Sequence, residues 1–212
     1  MKKILIADDH SIVRLGASVI IKGVIENANI TQAQDYNEIT KLLDTNRYDL
    51  LLLDINMPGG NNIKVIHEIL AKQTDLKILV FSSYDESLYA LRYIEAGAVG
   101  YLNKNTAMSE LGNAIQCIIS RGKYMSDVVT DLYLKKLTQS KSSLQKANPL
   151  AKLSNREMDV AKHLTQGLGI LEVSNELKLS ASTISTYKSR VFEKLGVTNI
   201  PELIQLFNLH ST

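Results

Sequence analysis

Four short stretches of the chain place reactive side chains directly after apolar runs. Asp8 and Asp9 follow Ile4-Leu5-Ile6-Ala7, Asp54 follows Leu50-Leu51-Leu52-Leu53, Ser82 follows Ile78-Leu79-Val80-Phe81, and Lys104 follows Gly100-Tyr101-Leu102-Asn103. Three carboxylates gathered at one place repel one another, and a bound divalent cation relieves that repulsion; hard oxygen ligands completed by water favour Mg²⁺. Beside such a cation a carboxylate can attack phosphorus, while the metal and a lysine neutralise the phosphoryl oxygens in the transition state. Asp54 follows the most apolar run, which belongs at the centre of a sheet, and is the best nucleophile. Lys104 supplies a point charge, and Ser82 a hydroxyl hydrogen bond to the transferred group. Taken singly, an aspartate pair is a solvated loop, Lys104 a surface cation and Ser82 a turn residue. Their shared placement, five such residues at four strand ends, selects the chemical reading.

For these side chains to meet, the strands carrying them must run parallel, because ligands of an open α/β sheet bind outside the carboxyl ends of its strands. The first ~120 residues have the required rhythm of short apolar runs and amphipathic segments. Strands are expected over Ile4 to Ala7, about Ile30 to Ala33, Leu50 to Leu53, Ile78 to Phe81 and Gly100 to Leu102. The unbroken leucines of the third are those of a strand covered by helices on both faces. Val65, Ile66, Ile69 and Leu70, then Leu88, Leu91, Tyr93 and Ile94, recur near helical spacing. The expected fold class is α/β, a doubly wound five-stranded parallel sheet over residues 1–122.

Residues 123–150 are expected to link this domain to a second. Thr138 to Asn148 offer hardly any apolar side chains, and Pro149 follows. Met125 to Leu137 either extend the preceding helix or form one of their own. Residues 151–212 carry crowded helix signals and no strand pattern. Ser154-Asn155-Arg156-Glu157 fits a capping box, Gly167 a stop, Leu171 to Leu177 a short helix, and Ser180 the start of a helix with Ile184, Tyr187, Val191 and Leu195 on one face. Asn199-Ile200-Pro201-Glu202 opens a fourth helix. This is a small all-α helix-turn-helix layout, with the helix after Ser180 presented to a major groove.

Composition agrees. Of 212 residues, 45% are apolar and 22% charged, which excludes a disordered or fibrous chain. The net charge of +2 conceals a split: residues 1–137 hold 15 basic and 16 acidic side chains, residues 138–212 hold 9 and 6. A mildly basic tail suits a polyanionic partner. Met1-Lys2-Lys3 precedes an apolar run that Asp8, Asp9 and His10 end too early for a signal peptide, and no apolar stretch is long enough to span a bilayer. The single cysteine, Cys117, excludes a disulfide framework and is expected as a buried thiol. A cytoplasmic location is expected.

Asp8-Asp9, Asp54-Ile55-Asn56-Met57-Pro58-Gly59, Phe81-Ser82 and Gly100-Tyr101-Leu102-Asn103-Lys104, in this order and at these separations, resemble the receiver domain of two-component response regulators, a flavodoxin-like fold. The resemblance implies that Asp54 accepts phosphate from a sensor histidine kinase. It implies that Asp9, Asp54 and the Asn56 carbonyl bind Mg²⁺, that Asp8 assists through water, and that Ser82 and Tyr101 form a switch in which the ring turns inward. One departure is Asn105, where many receivers have a cis proline. His10 reads as a partly exposed loop residue beside the acidic pair.

Beyond residue 150, Leu153-Ser154-Asn155-Arg156-Glu157, Gln166-Gly167-Leu168, Leu179-Ser180, Thr183 to Tyr187 and Lys194-Leu195-Gly196-Val197 resemble the LuxR-type domain of the NarL subfamily. The resemblance implies a four-helix domain that reads DNA as a dimer, often with contacts of the final helix, here Ile200 to Leu209. Ser182, Ser185, Thr186 and Ser189 form a hydroxyl stripe able to bond base edges, with Lys188, Arg190 and Lys194 flanking it for phosphates. Gly169-Ile170-Leu171 departs from the polar, lysine-bearing start usual for the second helix. It is expected to weaken nonspecific DNA binding, or to add an apolar contact through Ile170 or Leu171.

The expected function is therefore a phosphorylation-regulated transcription factor, not an enzyme, that binds promoter DNA as a homodimer on phosphorylation or on DNA, with no membrane partner. Receiver dimerisation would use the fourth and fifth helices or the first and fifth. One rival is an aspartate-nucleophile phosphatase, which needs a second carboxylate two residues on; Asn56 occupies that position. Another is a DNA binder indifferent to phosphate, which leaves the acidic set without a purpose.

Overall fold

The computed structural model describes residues 1–57, 63–106, 108–138 and 149–210. The chain forms two compact units, Met1–Thr138 and Gln139–Thr212.

In the first unit five strands, β1 (Lys3–Ala7), β2 (Asn29–Ala33), β3 (Leu50–Leu53), β4 (Lys77–Ser82) and β5 (Gly100–Asn103), pair in parallel in the order β2-β1-β3-β4-β5. Helices α1 (Ser11–Val24), α2 (Tyr36–Thr45), α3 (Lys64–Lys72), α4 (Glu86–Glu95) and α5 (Met108–Arg121) alternate with the strands. Period-two alternation divides the sheet residues between two covered faces. Ile4, Ile6, Leu50, Leu52, Leu79, Phe81 and Leu102 pack with Ala17 and Ile21 of α1 and Leu111, Ala114, Ile115 and Ile118 of α5. Leu5, Leu51, Leu53, Ile78, Val80 and Tyr101 alternate with them and are also buried, as are Ile39, Val65, Ile66, Ile69, Tyr89 and Tyr93 of α2, α3 and α4. The order reverses between β1 and β3, so the crevice for a ligand opens at their carboxyl ends.

The expected linker is corrected over its first half. Residues 127–138 form a separate helix, α6 (Asp127–Thr138), that packs on α4 and belongs to the first unit. The approach to it is pinned: the Tyr124 N–H donates to the Val99 carbonyl at 2.9 Å and its hydroxyl to Glu110 Oε1 at 2.7 Å. Gly100 leaves the room this requires, since a Cβ there would stand 3.1 Å from the Tyr124 carbonyl oxygen. Val129 is fully buried, the Ser126 hydroxyl donates to Glu86 Oε1 at 2.8 Å, and Lys136 pairs with Glu95. Residues 139–148 of the expected linker, like Pro58 and Gly59 of the motif after β3, lie outside the described residues. Cys117 is free and only partly buried.

The second unit begins with a short 3-10 turn, Pro149–Lys152, followed by α7 (Asn155–Thr165), α8 (Ile170–Leu177), α9 (Ala181–Leu195) and α10 (Ile200–His210). The expected capping box closes: the Ser154 N–H donates to Glu157 Oε2 at 2.7 Å, and Ser154 Oγ accepts from the Glu157 N–H at 3.4 Å. Gly196, at φ 68°, ends α9 in the left-handed region where a side chain would strain the backbone. Leu153, Met158, Ala161, Leu164, Val173, Ile184, Val191, Leu203 and Phe207 form the buried set.

Docking of α6 makes a stability prediction. Val129→Ala should destabilise the first unit by about 2 kcal/mol in urea unfolding followed at a receiver probe. An unchanged midpoint would mean that α6 contributes nothing to that unit.

Candidate phosphoacceptor site and nucleic-acid interface

Sheet pairing runs one residue past the strands and fixes where the acidic residues stand. The Asp8 N–H donates to the Ala33 carbonyl at 3.1 Å, the Asp54 N–H to the Ala7 carbonyl at 2.8 Å, and the Lys104 N–H to the Ser82 carbonyl at 2.8 Å. Ala7 is in register with Leu53, so Asp8 and Asp54 leave adjacent strand ends side by side. Between them lies the Lys104 ammonium, with Nζ 2.6 Å from Asp8 Oδ2 and 2.7 Å from Asp54 Oδ2. Both carboxylates are 2% exposed, so this cation is what makes their burial tolerable. Their other oxygens take backbone donors: Asp8 Oδ1 from the His10 N–H at 2.9 Å, and Asp54 Oδ1 from the Asn56 N–H at 3.0 Å.

Burial pushes the Asp54 carboxyl above its ordinary value, further than Lys104 and the Asn56 N–H pull it down. Burial also acts to lower Lys104, but Asp54 and Asp8 together outweigh it and raise the ammonium, which stays protonated. Asp9 stands at the rim. His10, an exposed ring at the start of α1, reaches Asp9 Oδ1 at 2.8 Å and Asp8 Oδ1 at 3.2 Å through Nδ1. One ligand atom each from Asp8, Asp9, His10 and Asp54 lies within 4.8 Å of the others. The donor chemistry fits a divalent cation: three carboxylates face a single lysine, and the surplus negative charge borders buried oxygens.

Ser82 is fully buried, and its hydroxyl is hydrogen-bonded to the Tyr101 hydroxyl and accepts from the Tyr84 N–H at 3.3 Å. The Tyr101 ring already points inward: it is fully buried, lies 6.3 Å from the Tyr93 ring, and donates its hydroxyl to the Tyr84 carbonyl at 3.0 Å. Burial drives its phenol well above the ordinary tyrosine range. After Lys104 the backbone keeps trans peptides, and Asn103 organises the turn: its Oδ1 accepts from the Asn105 N–H at 2.8 Å, and its carbonyl from the Thr106 N–H at 3.1 Å. The strand-end pattern does not single out Tyr84 or Asn103, yet both border the site. Asn103 is the last residue of β5, so its place at a strand end was the available signal.

The second unit holds the hydroxyl stripe. On α9, Ile184 and Val191 are fully buried, while Ser182, Thr186, Ser189 and Arg190 are exposed and Ser185 and Lys188 partly so. Ser182, Thr183, Thr186, Tyr187 and Arg190 line an open groove of about 310 Å³. Tyr187, expected on the same face as Ile184 and Val191, is partly buried and also borders the groove. Thr186 Oγ1 donates to the Ser182 carbonyl at 3.0 Å and Ser189 Oγ to the Ser185 carbonyl at 3.1 Å, which turns their lone pairs outward. Lys188 Nζ lies 5.4 Å from the centre of the Phe192 ring, a cation–π distance. Lys194 Nζ is 2.6 Å from Oε2 of the buried Glu157 and ties α9 to the α7 cap. At the start of α8, Gly169 gives no side-chain cap, and Glu172 Oε2 accepts its N–H at 2.6 Å. Leu171 is 72% exposed and Ile170 partly buried, so the apolar departure does lie at the surface.

Residues 4–116 match the response regulator receiver domain, and residues 151–207 match the bacterial regulatory proteins of the luxR family. Response regulator UvrY of Escherichia coli K12 is 30% identical over 211 residues, 99% of this chain and 95% of that one. Response regulator GacA of Pseudomonas aeruginosa is 30% identical over 210 residues, covering 99% and 97%. A solved structure of RcsB from Salmonella enterica serovar Typhimurium, bound to a promoter in the presence of the phosphomimetic BeF3-, superposes with a TM-score of 0.59 at 27% identity, covering 99% of this chain and 98% of that one. The chain belongs to the response regulators with a LuxR-type DNA-binding domain.

Among the described residues of this regulator, no helix is long and apolar enough to cross a membrane. Its Glu157–Lys194 pair carries a pH prediction. Burial raises the glutamate, but Lys194 and Ser154 together hold it below the ordinary carboxylate value. Stability from the pair is therefore complete above the unfolded-state pKa near 4.5 and drains away as pH falls below it. Lys194→Met should cost the second unit about 1 to 2 kcal/mol at neutral pH, discounted because Lys194 is half exposed, and should flatten its acid limb. Denaturant midpoints from pH 7 to pH 3 provide the check.

Proposed function

We propose that Asp54 is the phosphoacceptor of a transcriptional regulator, that a sensor histidine kinase supplies the phosphoryl group, and that α9 reads promoter DNA in a homodimer. The observation that carries this reading is the Lys104 ammonium seated between Asp8 Oδ2 and Asp54 Oδ2. That cation offsets the buried carboxylates and stands where it can bond a phosphoryl oxygen arriving on Asp54. Raised basicity from burial favours Asp54 as nucleophile, and the Asn56 N–H holds one of its oxygens in place. Asp8, Asp9, Asp54 and the Asn56 carbonyl would hold Mg²⁺, which when bound neutralises charge on the phosphoryl oxygens. Ser82 would give its hydroxyl to the new group and release Tyr84 and Tyr101. The Asn56 carboxamide is neither an acid nor a base near neutral pH and cannot protonate a leaving group, so the site acts as a stoichiometric acceptor and not as a turnover phosphatase.

Phosphorylation then biases a population of receiver surfaces. Docking of α6 on α4 occupies part of the surface around the fourth helix. On α1, Ile12, Leu15 and Val19 are exposed at 75%, 60% and 66%, which favours the first-and-fifth-helix surface for the homodimer. On DNA, Ser182, Ser185, Thr186 and Ser189 meet base edges, and Arg190 and Lys188 meet phosphates. The receiver role is assigned to residues 1–122 with α6 as an added layer, and DNA reading to residues 151–212.

Selection of bound DNA from random sequence, with and without acetyl phosphate, tests the reading. The wild type should gain about tenfold in affinity for the selected site with the phosphodonor, and Asp54→Asn should gain nothing. Equal binding by both proteins in both conditions would instead identify a DNA binder indifferent to phosphate.

A further inference from the structure

Tyr84, two residues beyond β4, makes contacts to three strand ends at once. Its phenol donates to Asn56 Oδ1 at 3.0 Å, in the loop after β3. Its N–H donates to Ser82 Oγ at 3.3 Å, at the end of β4. Its carbonyl accepts the Tyr101 hydroxyl and Asn103 Nδ2, both at 3.0 Å, from β5. Its ring stacks on Tyr89 of α4, with centroids 4.7 Å apart and planes 18° from parallel. A half-buried side chain fixed at backbone and ring has little rotational freedom left, so its hydroxyl is held at a set point in space.

Asn56 is the residue on which that set point acts. Its N–H orients Asp54 Oδ1, and under the reading above its carbonyl is a metal ligand. Asn56 is half-buried, and its side-chain Oδ1 accepts the Tyr84 phenol. Its side-chain tie to Tyr84 is therefore a means of restraining the residue whose N–H faces Asp54.

We propose that Tyr84 is a positioning residue of the phosphoacceptor site: its phenol holds Asn56 so that the Asn56 backbone presents one donor to Asp54 and one acceptor to the cation. Tyr84 touches neither the phosphoryl group nor the metal and acts through Asn56. Loss of the phenol frees the Asn56 side chain, so the bound arrangement must be ordered again each time the cation enters. The inference rests on the assignment of this edge as a Mg²⁺-dependent phosphoacceptor.

The test is calorimetric titration of MgCl₂ into the full-length wild type, Tyr84→Phe, Asn56→Ala and the double variant, with thermal unfolding of each. Tyr84→Phe keeps the ring stack and the backbone bonds and removes only the phenol, so it should unfold in one cooperative transition, with a melting temperature lowered by no more than the few degrees one hydrogen bond carries. Its Mg²⁺ dissociation constant should rise about fivefold, the effect of one neutral hydrogen bond. In the Asn56→Ala background the same substitution should change nothing, because the residue it acts through no longer offers an acceptor. An unchanged dissociation constant in Tyr84→Phe, or an equal loss in both backgrounds, overturns the proposal while leaving the site assignment intact. A wild type that does not take up Mg²⁺ overturns both.

Discussion

Two carboxylates cannot be buried side by side unless positive charge lies between them, and in the receiver unit that charge is the Lys104 ammonium. The rest of the unit is arranged around this requirement. Parallel pairing delivers Asp8 and Asp54 to neighbouring strand ends, and β5, two strands from Asp54, is placed so that a lysine just past its end reaches back to both. An antiparallel partner would send its terminal residue to the opposite edge. The apolar layers on both faces of the sheet make the backbone stiff enough to hold these distances, and they exclude the water that would otherwise weaken the attraction. Three negative groups against one lysine leave the edge unbalanced, and a site of that kind is poised to accept a cation and a phosphoryl group together.

Most of this edge was legible in the sequence because strand ends are marked bluntly: a short, mostly apolar run, then a charged or hydroxyl side chain. Asp8, Asp9, Asp54, Ser82 and Lys104 needed only the topology to bring them together. Tyr84 was not legible, because its role depends on a loop geometry that brings three strand ends within reach of one residue. The pairing of Lys194 with Glu157 was hidden for a related reason. The Ser154–Glu157 cap is local and visible in four residues, but its cation comes from 37 positions further on. Tyr187 follows helical spacing onto the core face and sits at its margin, partly buried and bordering the groove.

The helix α6 was obscured by its own composition. Val128, Val129, Leu132, Leu134 and Leu137 lie on several sides of it, so no single stripe announces a buried face. Among its described side chains only Val129 is fully buried, and Val128, Leu134 and Leu137 remain exposed. What fixes the helix is the entry, where Tyr124 bonds to Val99 and Glu110 beside a glycine. In the second unit the reverse holds. Caps at Ser154, Ser180 and Gly196 are written locally, and they set the start of α7 and both ends of α9.

The central claim, that the charge-balanced edge makes Asp54 the phosphoacceptor, is met most directly by chemical trapping. After incubation with acetyl phosphate and Mg²⁺, borohydride reduction converts an aspartyl phosphate to homoserine, and peptide mass mapping locates it. The account requires homoserine at position 54 and none at Asp8 or Asp9. Homoserine at either of those positions, or none anywhere, would contradict it.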